Sequence, residues 1–542
     1  MATLKINRQE FERHIKITDE IIAKIGLFGT PLEKITQDEL EIEILPNRPD
    51  LLSFHGFLRS FQSFIGKNFS MDYKIRKSKK EYIIEINQNL DKIRPFISCA
   101  IVKNLALNNE KIKEIVDLQE KLHSTLGRKR KKFAIGIYPL DKIEFPIKYE
   151  AMNPEKIKFI PLGEKKEFSA LEILKEHLTG KEYAPLLEGL TKFPIFRDSK
   201  NRILSMPPII NNEETGKVNS STTKVFVECT GFDQEILKRT LNIIVACLSD
   251  MGGEIYAVEL HYKNKKEKSP NFKIEKIKLS LENTNKILGL NLKEKDLINL
   301  MPKMGYIYNN QKAEIPPWRI DIMHERDIIG DIAIAYGYDK IIAELPNISA
   351  IGEESKESRI KSKISEILIG LGLIETSSHH LIRKEEAQRI KNDFLIELED
   401  SKTEYKYLRS DLITSSLRIL SENKDSEYPQ KIFEIGAIFK KNSTIETGIE
   451  EKDSLIIAIT PGNFTEIKRI LSYFSRTLEI AYNIKESTNK ILVEGRTGEI
   501  IINNKPIGHI GEVHPRILQL MNIKMPISIL EISLEEIYDL LG

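Results

Sequence analysis

The chain is short of the residues that would commit it to several common chemistries. Cysteine occurs three times in 542 residues, at Cys99, Cys229 and Cys247, widely spaced and without a Cys-x-x-Cys pair. That argues against a disulfide framework or a zinc–thiolate site and fits a reducing cytosol. No stretch approaches the ~18 apolar residues of a spanning helix, and the opening MATLKINRQEF carries no apolar leader core. A cytoplasmic protein with no membrane partner is expected. An excess of one charge is missing too: 82 basic and 80 acidic side chains nearly cancel, which confines any nucleic-acid surface to a local patch. There is no P-loop, no HExxH helix and no dinucleotide fingerprint after a strand. Ser205 lacks a Gly-x-Ser-x-Gly elbow and a histidine nearby in sequence, which disfavours a serine-hydrolase triad. His379 and His380 are adjacent and would diverge on a strand, so they make a poor metal pair.

What is present is a globular balance of 41% apolar and 30% charged residues, at a length that calls for about three to five domains. Lysine-rich or loop-like stretches at KIRKSKKEY (74–82), HYKNKKEKSPNF (261–272) and AELPNISAIGEESKES (343–358) cut it into segments of about 1–80, 85–265, 272–345 and 355–542. Helical and alternating periods both occur. DQEILKRTLNIIVACLSDMG reads as a helix stopping at Gly252–Gly253, KVFVECTGF as a strand, and Asn503–Asn504 as the turn of a hairpin. The fold class expected is α+β multidomain.

Three constellations carry chemistry. In PPWRIDIMHERDIIGDIAIAYGYDKI (316–341), Asp327 and Asp331 lie about 40° apart on one helical face, with Asp321 just before the helix. Carboxylates without Cys or paired His suit a hard cation such as Mg²⁺. Acidic residues in a first helical turn also simply complement the helix dipole. Arg128, Lys129, Arg130, Lys131 and Lys132 form a run that is either a solvated loop or a phosphate contact. Ser205, Glu228, Thr230 and Asp233 stand at the ends of two strands, where they line one pocket or merely cap loops.

Several blocks together resemble the beta subunit of phenylalanyl-tRNA synthetase of the archaeal and eukaryotic type. These are LPNRPDLLSFHGFLRSF (45–61), LHSTLGRKRKKFAIGIYPLD (122–141), SMPPIIN (205–211) and RIDIMHERDIIGDIAIAYGYDKI (319–341), in that order. The resemblance implies a B1-like N-terminal domain (1–80), a B3/B4 editing-like domain (85–265), a B5 domain (272–345) and a non-catalytic class II synthetase-like antiparallel-sheet core (355–542). It implies an alpha2beta2 heterotetramer in which the alpha subunit binds ATP and charges tRNA(Phe) with phenylalanine, while this subunit hydrolyses mis-made tyrosyl-tRNA(Phe). Editing residues would be Ser205, Glu228 and Thr230, with Glu228 meeting the tyrosyl hydroxyl. Mg²⁺ would be held by Asp321, Asp327 and Asp331, with Gly330 where the family has Glu. Tyr138–Pro139 departs from the family's usual pair in that block. A standalone aminoacyl-tRNA deacylase and a tRNA-binding scaffold with a degenerate pocket are the competing readings.

Overall fold

Strict alternation along the Val225–Gly231 strand sends Val225, Val227 and Cys229 to one side and Phe226, Glu228 and Thr230 to the other, and all seven residues are buried. The strand is paired on both edges, with Phe96–Lys103 and Phe133–Pro139, both antiparallel. The odd side packs under the Gln234–Asp250 helix, whose Asp233 cap accepts the N–H groups of Glu235 and Ile236. The even side faces a second sheet: Phe226, Cys99 and Tyr138 pack with Ile84, Ile147, Tyr149, Phe196 and Leu204. The second sheet has seven strands, running from Ile210–Asn211 through Ile203–Met206 to Lys266–Ser269. A polar side chain on the even side of the first sheet is therefore held between two sheets.

The computed structural model describes residues 2–67, 71–78, 80–345, 347–348, 351–390, 395–399 and 401–541. The chain divides into two units, Met1–Leu345 and Pro346–Gly542. The first unit thus contains the first three expected segments. Lys79 of the first expected boundary and Pro346, Ser349 and Ala350 of the third lie outside the described residues. Among the described residues no helix is long and apolar enough to cross a membrane.

Buried arginines tie the first unit together. Arg48 and Asp50 of the Asn-Arg-Pro-Asp motif make a buried bidentate pair at 2.9 and 2.9 Å. Gly56 follows because a Cβ there would collide with the Asp50 carbonyl. Arg59, from the Phe54–Phe64 helix, pairs with Asp250 at the end of the Gln234–Asp250 helix and lies 4.4 Å over the ring of Trp318. One guanidinium so joins three stretches distant in sequence. Farther along, the Glu325–Tyr336 helix ends at Gly337, whose φ of 103° a side chain would resist.

The second unit is built on a seven-stranded sheet, antiparallel except where Ile374–Glu375 joins Gln430–Lys441. The Lys356–Gly370 and Phe464–Thr477 helices pack on one face, and the Ile413–Glu422 helix on the other. The Asn503–Asn504 turn adopts φ of 47° and 61°, the left-handed pair a tight hairpin requires. His379 and His380 lie in an irregular stretch rather than on a strand.

Replacing Arg59 by Ala leaves Asp250 without its counter-charge in a largely buried site, held only by the Tyr73 hydroxyl among its described partners. A loss of about 3–5 kcal/mol in the first unit's stability is expected, read by urea unfolding. A loss under ~1 kcal/mol would show that the arginine is not what joins these segments.

Candidate functional site

Glu228 enters the space between the two sheets, and the residues around it explain how it is tolerated there. Across the ladder it faces Gly136 on one side and Cys99 on the other. A Cβ at position 136 would collide with Glu228 Oε1 and lie 2.7 Å from the Tyr138 hydroxyl, so this glycine makes room for both polar groups. The Tyr138 hydroxyl stands 2.7 Å from Ser205 Oγ, 3.3 Å from Asn211 Oδ1 and 3.3 Å from Glu228 Oε1. Ser205 and Asn211 are register partners on neighbouring strands of the second sheet. Glu228 Oε2 is buried and has no hydrogen-bond partner among the described residues.

Two residues along the same strand face, Thr230 is held by Arg94, which donates through Nε to its Oγ1 at 3.0 Å and through Nη2 to its carbonyl at 2.6 Å. Arg94 is buried and makes no bond to Glu228, but its charge acts on it. Burial pushes the Glu228 carboxyl up to about 8, against the opposing pull of Arg94 and of the Tyr138 hydrogen bond. At neutral pH the group is mostly the uncharged acid.

Beside Glu228 lies a cavity of about 460 Å³. Its walls are largely aliphatic, with Ile112, Ile115 and Val116 from the Asn109–Ser124 helix, Ile135 and Ile137 from the Phe133–Pro139 strand, and Ile209 and Ile210 opposite. Asn211 and Glu228 are polar groups on that wall. Ser205 and Thr230 are not: both are buried behind it, Ser205 on Tyr138 and Thr230 on Arg94. Asp233 is engaged in capping its helix and takes no part. His123 also borders the cavity, a neighbour that distance in sequence concealed. Its Nε2 accepts the Ile135 N–H at 2.8 Å and its Nδ1 lies 3.3 Å from Glu120. Burial lowers its pKa, so it is a neutral ring with both nitrogens engaged and not a free general base.

The basic run divides. Arg128, Lys129 and Arg130 adopt φ of 48°, 53° and 62°, three consecutive left-handed residues without a glycine. This strained turn brings Arg130 inward, where it donates to the carbonyls of Pro208 and Ile209 at 3.1 and 2.8 Å and to Glu120 at 2.9 Å. Its guanidinium also lies 4.2 Å over Tyr183. Arg130 is thus a brace for the cavity wall, which corrects its place among the phosphate candidates. Arg128, Lys129 and Lys131 are exposed, and Lys132 is half-buried.

The three aspartates do not form one three-carboxylate cluster among the described residues. Asp321 is engaged by both arms of Arg319 at 2.9 and 2.7 Å, and the same guanidinium reaches Asp331 Oδ2 at 2.6 Å. Asp327 Oδ2 caps its helix by accepting the N–H groups of Met323 and His324 at 2.9 and 2.8 Å. What remains for a cation is the second oxygen of Asp327 and of Asp331, one turn apart, beside the open position of Gly330.

A family model described as the B3/4 domain matches residues 79–244, one described as the tRNA synthetase B5 domain matches 277–338, and one described as the phenylalanyl tRNA synthetase beta chain CLM domain matches 341–534. The chain is 34% identical to the phenylalanine–tRNA ligase beta subunit of Archaeoglobus fulgidus, with 99% of each protein covered. It is 37% identical to that of Thermococcus sibiricus, with 91% of this chain and 90% of the relative covered. In structure it resembles an N-terminal fragment of the phenylalanyl-tRNA synthetase beta subunit from Pyrococcus horikoshii. That likeness has a TM-score of 0.59 and 33% identity, over 62% of this chain and 99% of the fragment. The chain belongs to the family of phenylalanine–tRNA ligase beta subunits.

Proposed function

We propose that this subunit edits: its Glu228 cavity takes the tyrosyl group of tyrosyl-tRNA(Phe) and promotes hydrolysis of the ester, while phenylalanine is charged on the alpha subunit. A ligase beta subunit works with an alpha partner and tRNA, here in an alpha2beta2 assembly with ATP bound by alpha. The observation that carries the reading is that Glu228 borders a largely aliphatic cavity of about 460 Å³ while its carboxyl is buried and its Oε2 has no partner among the described residues. Tyrosine differs from phenylalanine by one hydroxyl, and an apolar pocket rejects an added hydroxyl only ~100-fold. A pocket with a buried polar group works in the opposite sense. Phenylalanine would leave Glu228 Oε2 unpaired, whereas tyrosine supplies its partner. Glu228 is therefore the discriminating residue, and Ser205 and Thr230 serve from behind the wall. Exposed Arg128, Lys129 and Lys131, adjacent in sequence to the wall brace Arg130, are the tRNA phosphate contacts of this reading.

The second unit fits a class II synthetase-like core that does no chemistry of its own. Arg409 and Glu434 are paired at 2.7 Å in its interior, with Ser378 bonded to both. A Cβ at Gly436 would collide with the Arg409 guanidinium, so that charge is enclosed rather than offered to a nucleotide. Asp327 and Asp331 would be the residues to hold Mg²⁺, an ion that needs only one or two carboxylates. Asp321 contributes by holding Arg319.

In the intact alpha–beta complex, Glu228→Ala should slow hydrolysis of tyrosyl-tRNA(Phe) by about tenfold or more without changing the rate of phenylalanyl-tRNA(Phe) formation. Equal hydrolysis with and without the substitution would remove Glu228 from the site. For the cation, Gly330→Glu should tighten Mg²⁺ binding in calorimetry and add ~1 kcal/mol of stability by removing a helical glycine. Asp321→Asn should weaken the fold more than the ion. Unchanged Mg²⁺ affinity in the glutamate variant would contradict this arrangement.

A further inference from the structure

Tyr138 is fully buried behind the cavity wall, yet its hydroxyl meets three polar groups of the site, Ser205, Asn211 and Glu228. Two of them, Asn211 and Glu228, are on the wall, and they belong to different sheets. The ring is anchored by Phe226, centroid to centroid at 5.8 Å, and Gly136 leaves the space in which phenol and carboxyl meet. A phenol has one proton to give. Ser205 Oγ is the nearest acceptor at 2.7 Å, and Glu228 Oε1 is farther at 3.3 Å. While Glu228 is neutral, its own proton can go to the phenol oxygen and Tyr138 can donate to Ser205. Once Glu228 is ionised, the phenol proton must turn to it. Tyr138 therefore couples the charge of Glu228 to the second sheet.

We propose that Tyr138 is the positioning residue of this site: by binding Glu228 Oε1 it fixes the carboxyl and leaves Oε2 as the oxygen that meets the hydroxyl of a bound phenol. The inference rests on the tyrosyl reading of the cavity and deepens it. The site already contains one phenol, the protein's own, and it selects a second through the oxygen that the first leaves open.

The groups that face Glu228 are few. Arg94 stays cationic, because arginine does not lose its proton in this range. Cys99 and Cys229, on the neighbouring strand and beside it, are pushed up by burial, as are Tyr138 and Tyr149. Among these, only Glu228 titrates between roughly pH 6 and 9. On the cavity rim, His123 is held below its usual value and Glu120 and Glu213 below theirs. Because a hydrogen bond donated to a carboxylate favours its charged form, removing the Tyr138 hydroxyl must raise the pH at which Glu228 ionises.

The test uses Tyr138→Phe in the alpha–beta complex, which keeps the ring packing, with p-cresol as the probe and toluene as its counterpart without a hydroxyl. The expected result is a loss of about tenfold in p-cresol affinity by NMR titration, unchanged toluene affinity, and an upward move of the pH midpoint of p-cresol binding. Glu228→Gln should abolish that pH dependence. Adding Tyr138→Phe to it should cost much less than on the wild-type background. Unchanged p-cresol affinity and midpoint, or losses that simply add in the double variant, would overturn the role of Tyr138. Hydrolysis of tyrosyl-tRNA(Phe) is a separate readout. If the wild-type complex does not hydrolyse it while the p-cresol effects stand, the editing reading falls and the positioning role remains.

Discussion

A carboxyl between two sheets, short of one hydrogen-bond partner, sets the character of the first unit. Glu228 is 2% exposed, and Arg94, whose charge acts on it, is bonded to Thr230 rather than to it. Water would stabilise the ionised form and the interior does not, so the group keeps its proton. The surrounding residues accommodate this state. Gly136 gives it room, Tyr138 meets one oxygen, and Arg130 braces the opposing wall through the carbonyls of Pro208 and Ile209. An unpaired buried polar group costs stability unless a ligand completes it. That cost is the physical basis for discrimination by a single hydroxyl.

Several other buried charges among the described residues are treated in the opposite way. Arg48 has Asp50, Arg59 has Asp250, Arg319 has Asp321 and Asp331, and Arg409 has Glu434. Each guanidinium is matched by carboxylate, and Arg59–Asp250 and Arg409–Glu434 join segments distant in sequence. Glu531 in the second unit is also pushed up to about 8 by burial, but there the Leu412 N–H meets its Oε1 at 2.6 Å, so it is the open cavity beside Glu228, not burial alone, that marks the functional acid. Pairing with Arg319 and helix capping also explain why the acidic stretch at 321–331, the most conspicuous in the sequence, has only two carboxylate oxygens left to offer a cation.

Much of the architecture was legible in the chain. KVFVECTGF formed its strand, the helix after Asp233 ran to its glycines as patterned, and Asn503–Asn504 formed its turn. The members of the site contributed by partner strands were not legible. Asn211 and His123 reach Glu228's surroundings only through strand register and helix packing, which sequence spacing does not encode, and Tyr138 stood out only as a departure within its block, without the partners it meets. Gly136 was the one local signal, since a glycine inside an apolar strand marks a close approach. Thr230 shares a strand face with Glu228, but its hydroxyl is held by Arg94 and it does not border the cavity. Arg130 misled by its neighbours, because only the left-handed turn separates an inward guanidinium from a solvated run.

The chemistry of the site turns on the ionisation of Glu228. Between the ordinary carboxyl range near 4.5 and about 8 the native state holds a proton that the unfolded chain has released, so stability should fall as pH rises through that window. The most direct measurement is the infrared difference between the protein and its Glu228→Gln variant across pH. A protonated carboxyl band present at pH 7 and lost with a midpoint near 8 is the predicted result. A carboxylate band already present at pH 7, with a midpoint in the usual range of about 4 to 5, would contradict the account.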